Sequence, residues 1–166
     1  MKAKGRPVTD PRFLKTILVA LDDSVRAAGV FDAAVELATQ FGATLHLIRA
    51  ITIPPEFPPA AAASHADELP AHLERMAIEQ LSALIRRAPN VAIAAPIVAT
   101  GPQPWRLILE NARRLDADLI VLGSHGYGGW DRVLGTTAGK VANLADRNVL
   151  VVHARDLDVV HETESR

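Results

Sequence analysis

The chain contains no cysteine, which excludes disulfides, thiolate catalysis and cysteine-ligated zinc or iron–sulfur centres. Any redox chemistry would need a borrowed cofactor. Nor is there a surplus of either charge: 18 Lys plus Arg stand against 19 Asp plus Glu, for a formal net charge of -1 at pH 7. Without a basic excess nothing draws in a nucleic-acid backbone at long range, so no nucleic-acid partner is expected. No apolar run reaches the roughly 18 residues of a membrane span, and the basic start MKAKGRPVTDPRF lacks the apolar stretch of a secretory signal. The expectation is a soluble cytoplasmic protein with no membrane partner.

What is present is material for one core. With 166 residues, 49% of them hydrophobic and 22% charged, the chain can fold without metal or disulfide staples. A single domain is expected over 15–154, after a flexible N-terminal segment at 1–14 and before a polar tail at 155–166. Five short apolar runs stand out: TILVAL at 16–21, TLHLIRAI at 44–51, VAIAAPIVA at 91–99, DLIVLG at 118–123 and NVLVVH at 148–153. Near-continuous apolar character of this kind fits strands buried on both faces. Pro96 interrupts the third run and suits an edge strand or a bulge.

Between the runs the apolar period changes. Val30, Phe31, Ala34, Val35, Ala38 and Phe41 recur at helical spacing before Gly42, and Leu73, Met76, Ala77, Leu81, Leu84, Ile85 and Ala88 do so before Pro89. Trp105, Ile108, Leu109, Ala112 and Leu115 form a third stripe, and Val141, Leu144 and Ala145 a shorter fourth. The order βαβαβαβαβ predicts an α/β fold, an open doubly wound parallel five-stranded sheet with helices on both faces. Ligands of such sheets sit beyond the carboxyl ends of the strands, where strand order reverses. The Pro/Ala-rich stretch at 53–70 has no regular pattern; it reads as a flap, a partner-binding segment or a long crossover.

The strongest local signal is GSHGYGGWDRVLGTTAGKV at 123–141. Its glycines allow close backbone approach, and Gly135-Thr136-Thr137 leads into the fourth helix, where free amides and hydroxyls can meet an anion. It is neither a GxxxxGK[ST] P-loop nor a dinucleotide GxGxxG turn. Together with ILVALDDS at 17–24, DADLIVLGSHG at 116–126, GGWDRVLGTT at 128–137 and NVLVV at 148–152, it resembles the universal stress protein family. That family's nucleotide-binding members carry a GxxGx9G[ST] loop on an adenine nucleotide alpha hydrolase-like sandwich. Here the interval between Gly126 and Gly135 holds eight residues, one fewer than that pattern.

The resemblance implies a site for ATP or a related adenine nucleotide, with or without Mg²⁺. Ala20 would be a small neighbour of the base, Asp22 a ribose or adenine-side contact, and Ala50 a lining residue of the adenine pocket. Leu122 and Gly123 would continue the nucleotide surface, and Gly126, Gly135, Thr136 and Thr137 would surround the phosphates. From the residues alone, Asp22 is either an acceptor for ribose hydroxyls or, with Asp23 and Ser24, a cap of the first helix.

Other side chains have plainer alternatives. His125 is a phosphate donor or an exposed loop histidine, Arg132 and Lys140 supplement the phosphate turn or stay in solvent, and Trp105 anchors the third helix. Tyr127 and Trp130 pack the loop or a partner. His46, His65, His72, His153 and His161 form no metal constellation, and no nucleophile is paired with a base, so neither metal nor catalytic residues are expected. Slow ATP hydrolysis is the most the chain would catalyse. The resemblance further implies a dimeric regulatory module of the stress response, a homodimer joined through the last strand. A nucleotide-independent module acting on a protein partner is the alternative.

Overall fold

The computed structural model describes residues 13–52, 68–124 and 135–153. The expectations for residues 1–12, for the stretch at 53–67 and for the tail from 154 lie outside the described residues. Among the described residues nine elements follow in strict alternation: β1 (Thr16–Ala20), α1 (Ala27–Phe41), β2 (Thr44–Ile51), α2 (Glu68–Arg87), β3 (Ile97–Thr100), α3 (Pro104–Arg114), β4 (Leu119–Gly123), α4 (Thr136–Leu144) and β5 (Asn148–Val152). All strand pairs are parallel, in the order β3-β2-β1-β4-β5. The chain builds outward from β1 to β3, then crosses back over the sheet to lay β4 on the other side of β1. That reversal creates a crevice at the carboxyl ends of β1 and β4.

Alternation along the central strands explains why they are apolar throughout. Ile17, Val19, Leu45, Leu47 and Val121 join Phe31, Ala34 and Leu81 in the core beneath α1 and α2. Leu18, Ile48, Ile120 and Leu122 point the other way, to Ile108, Leu109, Ala112 and Val141 of α3 and α4. A strand covered on both faces has no side left for polar residues.

Local chemistry sets the boundaries. Gly42 ends α1 in the left-handed region (φ 64°) and donates its N–H to the Ala38 carbonyl, a conformation that favours glycine. At the amino edge of the sheet, Asp118 Oδ2 accepts from the N–H groups of Lys15 (2.8 Å) and Thr16 (3.0 Å), which fixes the start of β1 against β4. The third strand is shorter than the apolar run suggests. Ile93 makes an isolated bridge to Leu45, and regular pairing resumes only at Ile97, because Pro96 between them has no N–H to donate. Among the described residues β3 and β5 are the edges of the sheet. Among the described residues no helix is long and apolar enough to cross a membrane.

Candidate functional site

The register of β1 and β4 sets the floor of the crevice. Ala20 lies opposite Ile48 on one side and Leu122 on the other. Ala20 and Leu122 both pack with the α3/α4 layer. Ala50, two residues beyond Ile48, projects to the same face and pairs with Ala99. Three small or compact side chains thus lie on one face of the sheet near its carboxyl edge.

Beyond β4 the backbone makes a closed neck. Ser124, 3% exposed, donates its N–H to the Val152 carbonyl of β5 at 3.0 Å, while its own carbonyl accepts from the Gly135 N–H at 2.8 Å. The second bond sets the first turn of α4 directly beside the end of β4. Gly123, Gly135, Thr136 and Thr137 are therefore brought together. Gly123 has a steric reason of its own: a Cβ there would meet Val30 Cγ2 at 3.2 Å. Gly135 is the N-cap of α4 and supplies no side-chain hydrogen bond, so the first-turn amides are not capped by it. Gly126, His125, Arg132, Tyr127 and Trp130 lie outside the described residues.

Asp22 resolves differently from a helix cap. Its Oδ1 accepts from the Ser24 N–H (3.1 Å) and the Ser24 hydroxyl (2.6 Å), an Asx turn closed on itself. The N-cap of α1 is Arg26, which makes no side-chain cap bond, and the helix starts only at Ala27. Asp22 Oδ2 accepts nothing from the described residues and is half-buried beside the end of β1.

One residue of this region carries no sequence expectation. Arg49, 9% exposed within β2, donates from Nε to the Leu21 carbonyl at 2.7 Å and from Nη1 to Gln80 Oε1 of α2 at 3.0 Å. The guanidinium holds the chain at the residue immediately before Asp22. A single arginine inside the apolar run TLHLIRAI was the available signal, since a buried charge is retained only where it is fully hydrogen-bonded.

The shifted titrations lie elsewhere. Burial, then the nearby Arg114 charge, lowers the His46 pKa from 6.5. The Asp146 carboxyl is held at about 2, chiefly by its hydrogen bond from Arg147. Among the described residues no three His, Asp or Glu side chains could hold a metal ion.

The family model described as the universal stress protein family matches residues 14–153. The chain belongs to the universal stress protein family. Universal stress protein A homolog 1 of Coxiella burnetii is 31% identical over 86% of this chain and 98% of its own length. Among solved structures, universal stress protein UspA from Lactobacillus plantarum superposes with a TM-score of 0.70 at 26% identity, covering 84% of this chain and 98% of that one. A universal stress protein solved in complex with cAMP shares the fold at a TM-score of 0.60 and 24% identity, over 86% and 98% of the two chains.

Proposed function

We propose that this universal stress protein binds ATP or a related adenine nucleotide in the crevice at the carboxyl ends of β1 and β4, and that occupancy regulates a stress-response assembly in the cytoplasm. The observation that carries the reading is the neck: the Gly135 N–H to Ser124 carbonyl bond sets the start of α4, whose N-cap glycine has no side chain to offer its amides, against the end of β4. The register Ala20↔Leu122 places β1, and with it Asp22, on the same edge. Asp22 Oδ2 is an acceptor for a ribose hydroxyl, and the amides and hydroxyls of Thr136 and Thr137 suit phosphate oxygens. Ala20 and Ala50 leave room for a base. The cAMP complex of a related fold supports an adenine ligand for this architecture.

The chemistry is that of a binding module. No nucleophile–base pair stands at the crevice among the described residues, so any hydrolysis would be the slow kind that aligned water and Mg²⁺ permit. For regulation, nucleotide must bind two surface arrangements unequally. The edge of β5, unpaired among the described residues, supplies such a surface, where Leu150 is 37% exposed; pairing it with the same edge of a second copy would satisfy both backbones in a homodimer.

Isothermal titration of nucleotide-free protein with ATP, with and without Mg²⁺, tests the reading. Saturable binding near about one ATP per chain is expected. No heat at millimolar ATP would refute it and leave the nucleotide-independent partner module.

A further inference from the structure

We propose that Arg106, Trp105 and Lys140 form a phosphate-reading rim of this crevice that selects nucleoside triphosphates over monophosphates; the inference rests on the nucleotide reading above. α3 and α4 are neighbours on one face of the sheet, and both begin at its carboxyl edge. Trp105, the second residue of α3, is half-buried against the core of that face. Two cations converge on its ring: the Arg106 guanidinium carbon lies 5.5 Å from the ring centroid, and Lys140 Nζ, reaching across from α4, lies 5.6 Å away.

Two cations on one ring are what single the cluster out. Elsewhere, Arg87 pairs with Asp32, and Arg113 and Arg147 with Asp146. Among the described residues Arg106 and Lys140 have no carboxylate partner, and each is exposed. In a chain with 18 basic and 19 acidic residues, two cations gathered on one indole are a local excess rather than a reflection of composition. An exposed ring contact holds a cation only weakly, by less than a charge-assisted bond to phosphate would. The indole therefore holds both groups at its ring while leaving them available to an anion.

Position selects the anion. Lys140 is four residues beyond Thr136 and three beyond Thr137, so all three share one side of α4. A single phosphate on the first-turn amides ends at the threonines. A second and third phosphate can extend from there toward Lys140 and Arg106, which gives the cations no role in holding a monophosphate and a direct role in holding a triphosphate.

The test is equilibrium binding of ATP and AMP to the wild-type chain, to the double variant Arg106→Ala/Lys140→Ala, and to Lys140→Arg, with thermal melts to confirm folding. The wild type should favour ATP, and the double variant should lose about tenfold in ATP affinity while AMP affinity stays within about twofold. Lys140→Arg should retain most of the preference, since it keeps the charge. Equal losses for ATP and AMP, no loss for either, or a wild type indifferent to phosphate number would overturn the rim while leaving the nucleotide site standing. A wild type that binds neither ligand would overturn both readings.

Discussion

Replacing Arg49 by Met tests whether the buried guanidinium holds the β1–α1 turn in place. Methionine keeps the apolar stem of the side chain and removes every donor. The Leu21 carbonyl then loses a 2.7 Å bond from a charged group in a site where Arg49 is 9% exposed. A hydrogen bond to a charged partner contributes about 1.5–3 kcal/mol, and an orphaned buried acceptor costs about 1–3 kcal/mol more. The desolvation penalty of the guanidinium is relieved at the same time and offsets part of the loss, so a net destabilisation of about 2–4 kcal/mol is expected. Gln80 is exposed and water can replace it on Nη1, so Gln80→Met should cost under about 1 kcal/mol. The double variant should cost little more than Arg49→Met alone, because the two groups share one interaction. Urea unfolding gives the answer: with a slope of about 1–3 kcal/mol per molar, the midpoint of Arg49→Met should fall by on the order of 1–2 M at unchanged slope. A midpoint within error of wild type, or a Gln80 variant as damaging as the arginine one, would refute the account.

Three further perturbations separate the roles of nearby residues. Asp22→Ala removes both the Asx turn and Oδ2, whereas Ser24→Ala removes only the hydroxyl bond to Oδ1 and keeps the backbone N–H one. ATP affinity should therefore fall by about tenfold in the first and by less than about threefold in the second, with a loss of stability of about 0.5–1.5 kcal/mol in the first and less in the second; calorimetric titration and urea melts read both. Gly123→Ala puts a Cβ 3.2 Å from Val30 Cγ2, and should lower stability by about 1 kcal/mol unless Val30 gives way, with Gly123→Val worse. His46 has its folded pKa lowered below 6.5, so the unfolded chain takes up a proton first as pH falls. Stability should be insensitive to this group above about pH 7 and decline as pH drops through 6.5 toward the folded pKa, a slope that His46→Gln should reduce.

The parallel sheet was legible because each strand is covered on both faces, so apolar runs such as DLIVLG need no alternation to be recognised. Helix faces were legible for the complementary reason: Val30, Phe31, Ala34 and Ala38 recur at the period of one buried stripe. The start of α1 was not, since Asp22, Asp23 and Ser24 have the composition of a cap and only the fold shows Asp22 spent on Ser24. The third strand began late because one missing N–H at Pro96 outweighs the β-propensity on either side of it. The arginine in TLHLIRAI marks a position, but not its role: that depends on a carbonyl 28 residues away, and no local pattern encodes that partner. Trp105 read as a helix anchor, which it is, but the cations over its ring come from two helices and become neighbours only in the folded chain.

The interval between Gly126 and Gly135 is one residue shorter than the family pattern. The ends of the segment 125–134 are tied by the Gly135 N–H to the Ser124 carbonyl, and Ser124 is itself bound to β5. The placement of α4 against β4 is then set by the neck and by Ala138 and Val141 in the core, not by the number of residues between. Inserting one glycine after Gly129, which restores nine residues between Gly126 and Gly135, should leave stability nearly unchanged, since closing a loop one residue longer adds only ~0.1 kcal/mol. A change in ATP affinity in that variant would then report contacts of the segment with ligand rather than a displaced helix. A loss of more than about 1 kcal/mol in the urea melt would show instead that the segment's length holds α4 in place, and the neck would not be the device that fixes the phosphate end of the site.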